Sequence, residues 1–164
     1  MGIAHLNLTL NRRECRKIVS RDLIIKIVEL PEEFAAIKAI RIAVFQKEQG
    51  VATALEFDGK DEICQHLIAY LKQEAVGTAR IRYLDNKTAK VERLAVLSTA
   101  RGNGIGQQIM EKALEVIASK NIPEVVIHAQ EYIKALYKKM GFVQEGEIFI
   151  EAGIAHIKMK KILL

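Results

Sequence analysis

A strand-like run, Val91-Glu-Arg-Leu-Ala-Val-Leu97, leads into Ser98-Thr-Ala-Arg-Gly-Asn-Gly-Ile-Gly106, and an amphipathic helical pattern follows. A strand that enters a glycine loop and then a helix N-terminus points several backbone N–H groups at one spot. The helix dipole adds partial positive charge there, and the glycines let the backbone approach a ligand closely. Such a turn binds phosphate, and Arg101 at its start adds a bidentate charge. A Walker loop would end Gly-Lys-Ser/Thr, whereas this one ends Gly106-Gln107-Gln108, which argues against nucleoside triphosphate hydrolysis. The dinucleotide fingerprint would need glycine at 107, where Gln107 stands. On the loop alone, an ordinary glycine-rich turn remains the alternative.

The remaining pattern sets this unit in a mixed α/β domain. Leu23–Leu30 is β-branched and apolar, a buried strand. Pro31, Glu32 and Glu33 suit a first helical turn, and Phe34, Ile37, Ile40, Arg41, Val44 and Phe45 recur at helical spacing. Gln46–Glu62 is polar and acidic and reads as a loop or short helix. His66–Leu71, Val76–Leu84 and Ala89–Leu97 read as strands, Gly104–Lys120 as a helix and Val125–Ala129 as a short buried strand. Glu131–Met140 is a further helix, closed by Gly141. Phe142–Glu151 and Ile154–Ile162 form a hairpin around Ala152-Gly153.

Charge locates a boundary. The 164 residues carry a net +5. Arg12, Arg13, Arg16, Lys17 and Arg21 against Glu14 place +4 of it in residues 1–21, so residues 22–164 are nearly neutral. The basic stretch has no aromatic interleaving and no nucleic-acid motif, so no nucleic-acid partner is expected. No apolar run approaches the ~18 residues of a membrane span, and no membrane partner is expected either. Cys15 and Cys64 match neither a disulfide framework nor a zinc pattern, and the histidines lack metal-ligand spacing. A reduced, cytoplasmic protein without a metal is the expectation.

Arg101-x-x-Gly104-x-Gly106 behind Leu94-Ala95-Val96 resembles the coenzyme A loop of the GNAT superfamily of N-acetyltransferases. Val126-Ile-His-Ala-Gln130 resembles that family's following strand, and Ala135-Leu-Tyr-Lys-Lys-Met-Gly-Phe142 its helix ending in Tyr-x-x-x-Gly-Phe. Arg41-x-x-Val44-Phe45-x-x-Glu48-Gln49, Glu56-x-Asp58-x-x-Asp61 and Phe149-x-Glu151-Ala-Gly-Ile-Ala-His156 are similar to a subgroup of small bacterial members. The resemblance covers 22–164 and leaves 1–21 as a basic extension.

It implies a single α/β (α+β) domain. Its central sheet would be mixed, mostly antiparallel, with about six to seven strands flanked by helices, splayed at an acetyl-CoA cleft. A homodimer is compatible with it. It further implies that backbone groups of Leu94, Ala95 and Val96 pair with the pantetheine arm. Arg101, Gly102, Asn103, Gly104, Ile105, Gly106 and Gln107 would hold the pyrophosphate. The reaction would be direct attack of a neutral amine on the thioester, so Cys64 is read as a small core residue. Tyr137 matches the family's tyrosine acid, though it also fits an apolar helical stripe.

An alkylammonium, with a pKa near ~10.4, must lose a proton before it attacks. Glu92 is the leading base candidate: simple alternation puts it on one face with Leu94 and Val96. Pairing with Arg80 or Arg82 is its alternative role. His66 and His128 are bases or satisfied structural histidines, and His156 has no evident role. Glu48, Glu56 and Asp58, with Asp61, would attract a cationic acceptor, or else form a solvated loop. A non-catalytic coenzyme A binding module of the same fold is the alternative to an enzyme.

Overall fold

The computed structural model describes residues 21–163; the N-terminal extension lies almost wholly outside them. One eight-stranded sheet organises the chain in the order β1-β2-β3-β4-β5-β8-β6, with β7 also on β8. Its strands are β1 (Leu23–Val28), β2 (Gln65–Leu71), β3 (Glu74–Tyr83), β4 (Thr88–Val96), β5 (Glu124–Gln130), β6 (Val143–Gln144), β7 (Phe149–Glu151) and β8 (Ile154–Ile162). Every pairing is antiparallel except β4 with β5. A parallel neighbour requires a long crossover, and α3 (Ile105–Ser119) supplies it. The sheet exceeds the expected six to seven strands because Phe142–Glu151 does not run straight: the chain breaks at Gly146 (φ 83°), leaving β6 and β7 as separate partners of β8.

Alternation along the strands sends apolar side chains to both faces. Leu67 and Ala69 on β2, Ala79 and Ile81 on β3 and Val125, Ile127 and Ala129 on β5 pack with Ile109, Met110, Ala113 and Ile117 of α3. Ile68 faces the other way and packs with Val28 and with Ile37 of α1 (Phe34–Arg41). Thus α1 and α3 cover opposite faces. Gly77 is where α3 presses closest, since a Cβ there would lie 2.6 Å from Ile109 Cδ1.

Helix α1 starts three residues later than the proline suggested, after a turn through Pro31–Glu33. It continues as a π-helix over Ile42–Glu48, with Gln49 N–H donating to Val44 O at 3.2 Å. The acidic segment then forms α2 (Thr53–Glu56) and a 3-10 turn at Asp61–Ile63. The last helix, α4 (Lys134–Lys139), precedes Gly141 (φ 89°).

Candidate active site

Strands β4 and β5 stay in register only at Thr88–Glu124, Ala89–Val125 and Lys90–Val126. Beyond Lys90 they part, and the β5-facing edge of β4 from Val91 to Val96 has no strand partner among the described residues. An unpartnered edge offers peptide N–H and C=O groups to whatever extended chain lies along it. Leu94, Ala95 and Val96 sit on this stretch, and the glycine loop begins two residues later.

Gly102 (φ 82°) and Gly104 (φ 75°) adopt the left-handed conformation that the turn into α3 requires. No side chain caps α3. Helical bonding resumes only at Gln108, whose N–H donates to Gly104 O at 3.1 Å. The amides of Ile105, Gly106 and Gln107 therefore have no backbone acceptor among the described residues, at the positive end of a 15-residue helix. Asn103 Nδ2 braces the turn on Ala100 O at 3.2 Å. Arg101 ties the loop to the strand by donating from Nε to Val96 O at 2.9 Å. Its other branch pairs with the exposed Glu48 carboxylate at 2.8 Å.

Tyr137 on α4 is 5% exposed and meets Phe142 edge-on, with ring centroids 5.9 Å apart. Burial pushes its hydroxyl up to about 12, so it stays protonated and able to donate across the neutral range. That hydroxyl has no hydrogen-bond partner among the described residues.

The α1 face of the sheet carries an ionic cluster. Arg41, 1% exposed, donates to Glu56, to Asp61 Oδ1 at 2.7 Å and to Glu56 O at 2.9 Å. Arg80, also 1% exposed, donates to both Asp58 oxygens at 2.9 Å, to Asp61 at 3.1 Å and to Glu92 at 2.6 Å. Glu92 further receives Arg82 at 2.9 Å and Lys90 at 3.1 Å. Burial raises the Glu92 carboxyl, but the Arg82 hydrogen bond and the Arg80 charge outweigh it and hold it at about 2. Arg93 closes the network on Glu56 Oε2 at 3.0 Å.

A family model described as acetyltransferase (GNAT) domain matches residues 30–163. The chain belongs to the GNAT acetyltransferases. The Bacillus subtilis uncharacterized N-acetyltransferase YjcF is 33% identical over 123 residues, covering 74% of this chain and 87% of that one. The crystal structure of a Pseudomonas aeruginosa acyl-CoA N-acyltransferase superposes with a TM-score of 0.76 at 28% identity, covering 85% of this chain and 99% of that one. An Elizabethkingia anophelis GNAT acetyltransferase solved with acetyl-CoA bound shares the fold, with a TM-score of 0.66 at 19% identity over 87% of this chain and 99% of that one.

Within this GNAT frame two expectations change. Strand β4 bulges: two residues, Arg93 and Leu94, stand where β3 has only Ala79, and Arg93 takes φ 56°. The bulge reverses the alternation. Leu94 and Val96 pack on the α3 side, while Ala95 joins Ile40 and Val44 under α1, the side on which Glu92 meets its arginines. Glu92 therefore does not share a face with Leu94 and Val96. The acidic segment is also largely satisfied from within. Glu56 is 2% exposed and held by Arg41 and Arg93, and Asp58 is held by Arg80 and Arg93. Glu48 faces Arg101 at the loop. Arg41, Arg80 and Arg93 were not legible as these partners, because each reaches across 15 or more residues of chain.

The histidines separate. His66 is fully buried, bonds Asp61 O at 2.9 Å and is held neutral by burial, a core residue. Cys64 is buried and has no disulfide partner among the described residues, with its thiol pushed up by burial. His128 and His156, in contrast, flank Glu151 on β7. Gln49 and Gln130 exchange side-chain amide bonds at 2.9 and 3.0 Å, joining the end of the π-helix to the end of β5. Nothing in the spacing pointed to that pair.

Proposed function

We propose that this acetyltransferase moves an acetyl group from acetyl-CoA to a primary amine, of a small molecule or an exposed protein, by direct attack in a ternary complex. The observation that carries the reading is the junction of β4 and α3. An uncapped helix N-terminus, two left-handed glycines and an unpartnered strand edge meet at the mouth of the β4–β5 splay. The loop amides of residues 101–107 and the Arg101 guanidinium suit a pyrophosphate. Peptide groups of Leu94, Ala95 and Val96 suit the amide-rich pantetheine arm, which would lie along the edge as an added strand. The thioester would then rest where β4 and β5 separate.

The amine lone pair forms the C–N bond as the C–S bond breaks. Tyr137 gives its phenolic proton to the departing thiolate, a role suited to a hydroxyl that is protonated and otherwise unbonded. Glu92, held ionised by three cations, is a weak base. We assign it to fixing the charged wall beside the splay. Acetyl-CoA titrated by calorimetry, followed by thiol release against a panel of amines, tests the reading. Binding with turnover supports it; binding with no turnover on any amine favours a coenzyme A binding module; no binding overturns both.

A further inference from the structure

The charged wall ends at a histidine that the ionic cluster leaves only partly engaged. Lys90 and Val126 are the last registered pair before β4 and β5 diverge. The next residues on the same face are Glu92 on β4 and His128 on β5, so these two side chains flank the point where the cleft opens. Glu92 is fully engaged. His128 is not: its Nδ1 lies 3.1 Å from Glu151 Oε1. Its Nε2 has no hydrogen-bond partner among the described residues, and its side chain is 27% exposed. Phe149, edge-on at 5.0 Å, fixes the ring plane.

We propose that His128 is the general base that deprotonates the acceptor ammonium, with Glu151 as its positioning residue; this rests on the acetyltransferase reading above. Glu151 is ionised, its carboxyl lowered chiefly by the hydrogen bond to His128. As a carboxylate it only accepts, so it selects the tautomer with hydrogen on Nδ1 and leaves Nε2 with a free lone pair. Lys90 Nζ, 3.3 Å from the same Nδ1, competes for the opposite tautomer, but it is also drawn to Glu92 at 3.1 Å. The remaining charged groups facing His128 come from β8. They are His156, with Nε2 3.7 Å from Glu151, and Lys158, the register partner, which is paired with Glu145 at 3.0 Å.

His156 cannot take the same part. Its Nδ1 donates to Ile154 O at 2.8 Å, and its Nε2 lies 3.7 Å from the Glu151 carboxylate.

The protons balance. His128 Nε2 takes one proton from the ammonium and releases it to solvent after the cycle. The amine forms the amide bond, the thiolate leaves with the proton of Tyr137, and the second amine proton restores Tyr137.

Two measurements test this. Long-range proton–nitrogen NMR of the unmodified protein reads the His128 tautomer without any acceptor. Hydrogen on Nδ1, shifted toward a mixture by E151Q, is expected; hydrogen on Nε2 overturns the proposal.

Kinetics then compare propylamine with trifluoroethylamine, which is similar in size but far less basic and already neutral at assay pH. H128Q should lose roughly 10²- to 10⁴-fold in kcat/KM for propylamine. It should also lose the parent's acidic limb, leaving only a rise that follows the free-amine fraction, and be much less impaired with trifluoroethylamine. E151Q should lose less, and E151D should recover part. Equal losses for both amines, or an acidic limb in H128Q at the same pH as in the unmodified protein, overturn the base. Failure of the unmodified protein to bind acetyl-CoA instead overturns the acetyltransferase reading.

Discussion

Replacing Arg80 by methionine probes the ionic cluster at its centre. The side chain keeps most of its length but loses a guanidinium that serves three carboxylates while 1% exposed. Breaking a buried pair from one side costs about 3–5 kcal/mol, because the surviving charge is stranded. Here no carboxylate is stranded completely. Asp61 keeps Arg41 at 2.7 Å, Glu92 keeps Arg82 at 2.9 Å, and Asp58 keeps Arg93 at 3.5 Å and the Lys60 N–H at 3.1 Å. The loss therefore belongs at the lower end, about 3 kcal/mol. With a typical urea m-value of about 2 kcal/mol/M, the unfolding midpoint should fall by roughly 1.5 M at unchanged m.

The pH dependence gives the sign. Asp58, Asp61 and Glu92 all have folded carboxyl pKa values lowered below their ordinary range, Glu92 to about 2. Groups of that kind contribute stability that is full above the unfolded pKa near ~4 and is lost as pH falls toward the folded value. The gap between the unmodified protein and R80M should be widest at neutral pH and shrink below about pH 4. A midpoint change under about 0.3 M at pH 7 would reduce the cluster to the worth of surface pairs and refute the reasoning.

Tyr137→Phe should lower turnover by at least about tenfold while acetyl-CoA affinity, read by calorimetry, stays within about twofold; unchanged turnover removes Tyr137 from the mechanism. Gly104→Ala forces a Cβ into a left-handed backbone, so thermal unfolding should show a loss of about 1–2 kcal/mol, with weakened acetyl-CoA binding. Arg101→Ala should weaken acetyl-CoA by roughly tenfold or more, and the difference should narrow at high salt if the guanidinium meets phosphate. Glu92→Gln should keep the acidic limb of the kcat/KM profile while lowering the urea midpoint, since the residue supports the wall; a lost limb would restore it as the base.

The strand–glycine-loop–helix unit was legible because its constraints are local. Glycines at 102 and 104 and a following amphipathic helix are properties of neighbouring residues, so the turn into the helix follows from spacing. The face of Glu92 was not legible, because two residues of β4 oppose one of β3 and reverse an alternation that looks continuous in the chain. Gly146 hid another such break within the last hairpin.

Residue types and local order thus determined an α/β chain with a glycine turn between the end of a strand and a helix. Only the tertiary structure decided which charges meet. The acids of residues 56–61 have their cations on α1, β3 and β4, and Glu151 lies 23 residues from His128. Coulomb attraction and hydrogen bonding act over a few ångströms in space, and a sequence gives no distance between residues far apart along it. Folding therefore turned an apparent acceptor-attracting loop into a satisfied wall and left His128, beside the splay, with a nitrogen unpaired among the described residues.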